Sequence, residues 1–423
     1  MRGVRFASAL KGQGAGAGSA AIAGSFALSG ALTYAFQSVY FHALGKQGSA
    51  PLVLLWTATF LTVQVLWVGG TQTLGRYVAE REAQGRNWEP VLSSVRRWQG
   101  VVLVAFLVLA LPSVPLLTRY VFEDAWITAA FIIVVALYAP EYFRRGIFNG
   151  HRQSFRLGGQ IVAEASGRLL VSVILLFAGL GVVGPALAIV LAPVIGVLAV
   201  RPAPVPQPEE AGEPFSAAEA LRFAGPVLLC VGFAQAMMNG GPIVARLLGG
   251  TDAQVAVLAA ALVLTRMPQY VLSPAIGALL PRASRILSTE GREAFDRFVV
   301  RAAGVVGLIG ALMVGGTWLL GEWGLRLFAG RDFETGRNVL VALASLAALY
   351  LLSEMLNQAL FALGRERLAA LGWLAGLTTS AVCVVVLYGS VVERVAYAVA
   401  IGAAVAALAQ IVFYLASRGR PAA

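Results

Sequence analysis

Arg266 stands well inside an apolar stretch, with no acidic residue within four positions and with Pro268 and Gln269 just beyond it. A guanidinium at membrane depth is costly. Without a local counter-charge it needs a partner from another helix, a water-filled cavity or an anionic ligand. Arg168 is a second arginine of this kind, but Glu164, four residues earlier, shares its helical face and offers a local i, i+4 pair that implies no ligand. Glu141 follows Pro140, with Arg144 and Arg145 one turn on, and these two arginines equally read as side chains snorkelling to a membrane surface. Glu354, Asn357 and Gln358 cluster further along, where hydrogen-bond glue between helices is the competing reading. Gln235 and Asn239 share one face just ahead of Gly240-Gly241-Pro242, a run expected to break or kink a helix.

Such groups bind; they do not form a set for covalent catalysis. The two histidines, His42 and His151, have no zinc-type spacing. The alternating glycines from Gly12 to Gly18 follow no strand, so they are not a dinucleotide fingerprint, and the absence of a Walker-type loop argues against direct use of ATP.

The elements that must position these residues are long apolar segments. The chain is 58% hydrophobic and 13% charged, against roughly 25% charged in an average soluble domain. Twelve stretches approach the ~20 residues that cross a bilayer: 17–42, 52–75, 98–119, 126–149, 157–180, 184–200, 217–246, 254–281, 298–321, 338–362, 368–389 and 394–416. If they alternate from a cytoplasmic N-terminus, 23 of the 32 Lys and Arg residues lie inside and seven outside, with Arg168 and Arg266 within spans. That bias satisfies the positive-inside rule and places both termini in the cytoplasm. It also accounts for the net charge of +11 without nucleic acid, leaving anionic lipid head groups as the partner of the flanking arginines. Cys230 and Cys383 fall within spans as small apolar fillers. The first stretch is longer than a signal-peptide core and is expected to remain as helix one.

The one break in composition is Arg201 to Pro214, where alternating prolines favour an extended, solvated linker. It divides the chain into six spans at 1–201, a cytoplasmic linker at 202–214 and six spans at 215–423. The linker shows no hydrophobic anchor and is expected to tolerate lengthening. The halves resemble each other: Arg76 and Arg282 close similar span ends, and Gly150 before His151 pairs with Gly364 before Arg365. With six spans each, such repeats run parallel, related by an axis along the membrane normal, and a site is expected between them.

Ala43 to Ala50, Gly69 to Ala79, Arg145-Gly146 with Asn149-Gly150, and Pro274 to Ser284 together resemble the polysaccharide exporters and lipid-linked oligosaccharide flippases of the multidrug/oligosaccharidyl-lipid/polysaccharide (MOP) exporter superfamily. The likeness covers essentially the whole chain through short, degenerate motifs. It implies an all-α membrane protein, two six-helix bundles around a central cavity, alternating access, and a bacterial inner-membrane location. It further implies an undecaprenyl-diphosphate-linked saccharide as cargo and polysaccharide-assembly proteins as partners. Many flippase relatives have fourteen helices. Twelve is the count of the multidrug antiporter branch.

The residues therefore point to Arg266, Arg168 and Arg145, with Gln269, Gln235 and Asn239, as binders of an anionic head group, because the arginine fork matches phosphate. Glu141, Glu164 and Glu354 are the candidates for H+ or Na+ coupling. A cation-coupled multidrug antiporter is the rival transporter, and a membrane glycosyltransferase or ligase, or an assembly scaffold, the rivals of another class.

Overall fold

Among the residues described by the computed structural model, 2–206, 214–277 and 279–417, all regular structure is helical. In chain order the helices are α1 (Arg2–Ala83), α2 (Glu89–Ala110), α3 (Val114–Leu117), α4 (Ala125–Gly150), α5 (Ser154–Phe177), α6 (Val183–Ala199), α7 (Ala217–Asn239), α8 (Gly241–Leu247), α9 (Asp252–Thr265), α10 (Met267–Gly277), α11 (Leu279–Thr289), α12 (Gly291–Ala329), α13 (Arg337–Ala362), α14 (Glu366–Val386) and α15 (Val391–Ala416). The twelve expected spans are all present. The first two are the limbs of α1, which kinks at Gly45 (φ 64°, ψ −175°), a conformation that favours glycine. The seventh is α7 with α8, bent by 62° at Gly240, where the sequence puts its Gly-Gly-Pro run. The eighth is also broken, at Arg266 between α9 and α10, and no composition break announces this.

The exposed faces fit a bilayer. On α2, Val101, Val104 and Val108 are 67%, 60% and 63% exposed at helical spacing. In water such a stripe would be a liability, whereas against lipid it needs no cover.

The chain gathers into two compact units. One comprises Met1–Phe36, Val65–Pro115 and Trp126–Ala224; the other comprises Gln37–Gln64, Leu116–Ala125 and Gly225–Ala423. Within the first, α4 lies so close to the second limb of α1 that a Cβ on Gly146 would meet Leu74 at 2.7 Å, and one on Gly150 would meet Val78 at 2.7 Å. The Gly-Ile-Phe-Asn-Gly motif is thus a small-residue contact face. Beneath it Leu74, Val78, Trp88, Val91, Leu92 and Val95 form a buried cluster.

Val205 and Phe215 pack on that cluster. Phe215 stands edge-on to Tyr77 at 4.9 Å, and Ser94 donates to its carbonyl at 3.3 Å. Gln153 bonds both backbone groups of Ala203, at 3.1 and 2.9 Å. This corrects the expectation of a linker without hydrophobic anchors: Val205 inside the proline run and Phe215 just after it fasten it. The rest, 207–213, lies outside the described residues. Inserting Gly-Ser residues between 207 and 213 should still be tolerated, since doubling a loop costs only about 0.6 kcal/mol. Phe215→Ser should lower thermal stability in detergent by about 2 kcal/mol. Equal melting of parent and Phe215→Ser would mean that the anchor carries no energy.

In the second unit α9 is buried without interruption from Val255 to Val263. Ser38 donates to the Phe328 carbonyl at 2.7 Å, and Phe41 packs edge-on to Phe328 and Phe333 at 5.7 and 5.0 Å, which ties the Gln37–Gln64 segment to α12 and the loop after it. Asn357 meets the wholly buried Gln410 of α15 at 2.9 Å, so this member of the α13 polar cluster is interhelical glue.

The internal repeat shows in the backbone. Left-handed residues occur at Gly45, Gly85, Glu123, Arg152 and Gly179, and again at Gly249, Gly291, Gly330, Gly364 and Gly389, each pair 204 to 212 positions apart, with Gly181 unmatched among the described residues. At Arg152, Gln153 N–H bonds the Phe148 carbonyl at 2.8 Å and Arg152 N–H that of Asn149 at 3.2 Å. At Gly364, Arg365 and Gly364 make the same pair of bonds to Leu360 and Phe361, at 2.8 and 3.0 Å. Both are Schellman terminations. The pairing of Gly150 with Gly364 is thereby corrected: Arg152 is the counterpart of Gly364, and Gly150 is a packing glycine.

Candidate functional site

Each unit holds a buried polar group built from the candidate residues. In the first, Tyr138, Glu141 and Arg145 share a face of α4, and Glu164 and Arg168 lie one turn apart on α5. Glu164 is the hub. Its Oε1 accepts from Tyr138 Oη at 2.7 Å and from Arg168 Nη2 at 2.8 Å, and its Oε2 accepts from Arg145 Nη2. Arg145 also donates to Glu141 Oε1 at 2.7 Å, while Glu141 Oε2 is buried without a hydrogen-bond partner among the described residues. Two carboxylates and two guanidiniums leave the cluster formally neutral, which is what permits it at membrane depth. Aromatic faces complete the cage, with Tyr142 4.7 Å from the Arg145 guanidinium and Phe36 5.9 Å from that of Arg168. Gly196 of α6 makes room: a Cβ there would lie 3.2 Å from Glu141 Oε1 and 3.3 Å from Glu164 Cβ. Arg144 points elsewhere and donates to the Val197 and Val200 carbonyls at the end of α6.

Glu164 and Arg168 do form the local pair that their spacing predicts, but the pair belongs to a larger network. Gln160 and Ser172, both wholly buried, extend it along α5. Gln160 Oε1 and Nε2 and the Ser172 hydroxyl have no hydrogen-bond partner among the described residues. The signal for them was present in the four-residue spacing 160, 164, 168, 172. Neutral residues at that spacing simply do not stand out.

In the second unit Arg266 occupies the break between α9 and α10, and its buried side chain donates to Asn239 Oδ1 at the end of α7. Asn239 in turn donates to Gln235 Oε1 at 2.8 Å. No carboxylate pairs with Arg266 among the described residues. Its partial counter-charge is the negative end of the α9 dipole, which favours a cation at that helix terminus. Immediately after it, α10 opens with Met267-Pro268-Gln269, where Pro268 has no amide hydrogen and the Gln269 amide is bonded to the Arg266 carbonyl. The adjoining cavity, reached by Gln37, Tyr40, Trp56 and Thr57, measures about 20 Å³, room for one water. Gln269 joins Arg266 only through its backbone amide, at 2.9 Å, and its Oε1 is buried without a hydrogen-bond partner among the described residues. Glu354 lies apart from the arginine, accepting from Ser273 of α10 at 2.8 Å.

Comparison with known proteins fixes the fold. No known family model matches the chain. Two uncharacterized proteins of Mycobacterium tuberculosis are each 26% identical to it, one over 306 residues (70% of this chain, 68% of that protein) and the other over 348 (81% and 76%). Among solved structures, an inward-facing multidrug resistance MATE family transporter of the MOP superfamily aligns with a TM-score of 0.75 at 16% identity, over 92% of this chain and 94% of its own. The eukaryotic MATE transporter AtDTX14 gives 0.66 at 15% identity, over 95% of each chain. A MOP superfamily transporter from Pyrococcus furiosus, described as having a binding pocket of reversed polarity that suggests a different function, gives 0.65 at 16% identity, over 95% and 96%. The protein is thus a polytopic membrane protein with the MATE transporter fold: twelve spanning helices in two bundles.

Proposed function

We propose that the protein is an alternating-access exporter that moves an anionic, lipid-linked saccharide, of the undecaprenyl-diphosphate type, across a bacterial inner membrane. The observation that supports this most is Arg266, a buried guanidinium at a helix break whose side-chain partners are neutral amides. A buried cation offset only by a helix dipole and neutral amides attracts an anion through its charge. The water-sized cavity means that the head group enters only when the surrounding helices part. In the other unit Arg145 and Arg168 stay neutralised by Glu141 and Glu164. In an exporter driven by an inward ion gradient the ion and the cargo move in opposite directions, so Glu141 and Glu164, the groups of that unit able to take up H+ or Na+, bind the ion when the cargo has left. Fold likeness to multidrug transporters favours a second reading, a cation-coupled drug antiporter. Pocket polarity differs within this fold, as the reversed-polarity relative shows, and the buried arginines here suit an anion.

Deleting the gene and measuring lipid-linked saccharide on the two leaflets of inverted vesicles tests the choice. Accumulation on the cytoplasmic leaflet is the expected result. Unchanged leaflet distribution together with increased drug sensitivity would replace this reading by the antiporter. The orientation is tested by cysteine-accessibility labelling: replacements at Arg86, Arg152 and Arg292 should label from the cytoplasm, and those at Glu123, Asp252 and Glu334 from outside. Positions 86 and 123 labelling from one side would overturn it.

A further inference from the structure

Arg246, in the last turn of α8, is the third buried arginine of the second half of the molecule's polar groups, and its surroundings differ from those of Arg266. Gly249 (φ 81°) reverses the chain, its N–H bonding the Arg246 carbonyl while Gly250 N–H bonds that of Ala245, each at 2.9 Å. A Cβ on Gly250 would lie 2.7 Å from the Ala245 carbonyl oxygen, so the turn has no room for a side chain there. The chain doubles back over 248–251, Thr251 caps α9 in a capping box with Gln254, and Asp252 comes to face the arginine just left behind. Arg246 Nη2 donates to Asp252 Oδ1, and its Nη1 lies 3.0 Å from Glu123 Oε1. Its Nε is buried without a hydrogen-bond partner among the described residues.

The bond to Asp252 is local, made by the fold of one loop. The bond to Glu123 reaches into the other half of the chain. Glu123 follows the π turn Thr118–Phe122, against which α8 packs. Leu116–Ala125 belongs to the second unit, although the chain on either side of it, Val65–Pro115 and Trp126–Ala224, belongs to the first. Glu123 is also strained, one of two non-glycine residues with positive φ among those described (φ 56°, ψ 7°). Glycine would make this turn without strain. The turn gains nothing from a side chain here, whereas Arg246 gains a counter-charge that a buried guanidinium needs. The Glu123 side chain is 55% exposed, so water can take over its partner's place and the bond is weak enough to break repeatedly.

We propose that Glu123 and Arg246 form an extracytoplasmic latch: the pair holds the outer side closed in this structure and parts once in each transport cycle, while Asp252 keeps Arg246 compensated. This rests on the alternating-access reading above and on the orientation that puts residues 123 and 252 outside. On the same side Ser38 and Phe41 grip Phe328, and the cavity at Arg266 has room for only one water. The latch also has a lever. Asp252 stands in the first turn of α9 and Arg266 just past its last, so release of Glu123 frees the outer end of the helix that leads to the cargo arginine.

The test reads Thr57→Cys, a buried position in the wall of the Arg266 cavity, in the full chain with Cys230 and Cys383 replaced by alanine. A membrane-impermeant maleimide is applied to right-side-out and to inverted vesicles. Glu123→Ala should raise labelling from outside about two- to fivefold, the ratio that loss of one part-exposed ion pair gives, and lower labelling from the cytoplasmic side. Glu123→Gly should do the same although it relaxes the turn, because charge and not strain holds the latch. Adding Arg246→Met to Glu123→Ala should return labelling to the parent level, since closure then buries no uncompensated cation. Unchanged labelling from outside, a rise from both faces (the mark of a loosened fold), or no reversal by Arg246→Met would overturn the latch. The measurement needs no cargo, so the two ideas fail separately. A latch that behaves as expected in a protein that moves no lipid-linked saccharide removes the cargo reading alone. Normal movement of that saccharide with residue 57 labelled alike in every variant removes the latch alone.

Discussion

Arg266→Ala should cut transport of the anionic cargo by about 10- to 100-fold while membrane insertion stays normal. The range is what the loss of one hydrogen bond to a charged group, about 1.5–3 kcal/mol, gives when converted to a ratio of affinities. Insertion should be unharmed because an arginine at this depth opposes it by about 2.5–3.5 kcal/mol on translocon scales. Arg266→Lys should rescue in part, since an ammonium keeps the charge and loses the bidentate fork. Asn239→Ala supplies the control: it removes the acceptor seen in the structure and leaves the cation. If the guanidinium exists only to hold Asn239, the two alanine variants should behave alike. If it serves the cargo, Asn239→Ala should transport far better than Arg266→Ala. Binding of the head group to purified Arg266→Ala should also lose salt sensitivity. Normal transport by Arg266→Ala would make the residue structural.

Glu164→Leu carries the largest expected effect on stability. Its carboxylate accepts from Tyr138, Arg168 and Arg145 at once, so the substitution removes a charged partner from two buried cations and an acceptor from a phenol, although Arg145 keeps Glu141. Removing one partner of a buried pair costs about 3–5 kcal/mol, a large part of the 5–15 kcal/mol that holds a typical protein folded. The yield of monodisperse protein in detergent should fall accordingly. Glu164→Leu with Arg168→Met should recover most of the loss, because a hydrophobic replacement for both partners is often close to neutral. Coupling is read separately. Glu141→Gln keeps the packing against Gly196 and removes one titrating group, so the dependence of transport on the proton or sodium gradient should change before stability does. A melting temperature of Glu164→Leu equal to that of the parent would dismiss the network as a stabilising unit.

Hydropathy alone revealed the twelve spans, since bilayer thickness dictates their length and no tertiary contact is needed to see them. The kink at Gly240 was equally plain, because Gly-Gly-Pro cannot continue a helix. The break at Arg266 was hidden: Thr265-Arg266-Met267 contains no breaker, and Pro268 is compatible with a helix first turn. For the polar groups, the residues could be chosen but not their partners. Arg266 and Asn239 are 27 positions apart and Arg145 and Glu164 are 19, and periodicity fixes which face a residue occupies without saying which helix that face meets. The proline run concealed Val205 and Phe215 for a related reason: single apolar residues, one inside the run and one just after it, have no period to detect.

The paired left-handed residues bear on the ancestry of the chain. Ten of them match in order at separations near half of its 423 residues, the trace expected when one six-helix gene is duplicated and the copies are joined head to tail. In the second copy every matched position is glycine; in the first, Glu123 and Arg152 have replaced it. A left-handed non-glycine residue costs only about 1–2 kcal/mol, and at Arg152 the two hydrogen bonds that close the turn are those found at Gly364. There the turn has outlasted its residue, whereas Glu123 (φ 56°, ψ 7°) and Gly330 (φ 108°, ψ 165°) turn at matching positions in different conformations, so descent in this chain is recorded better by where the backbone reverses hand than by which amino acids stand there.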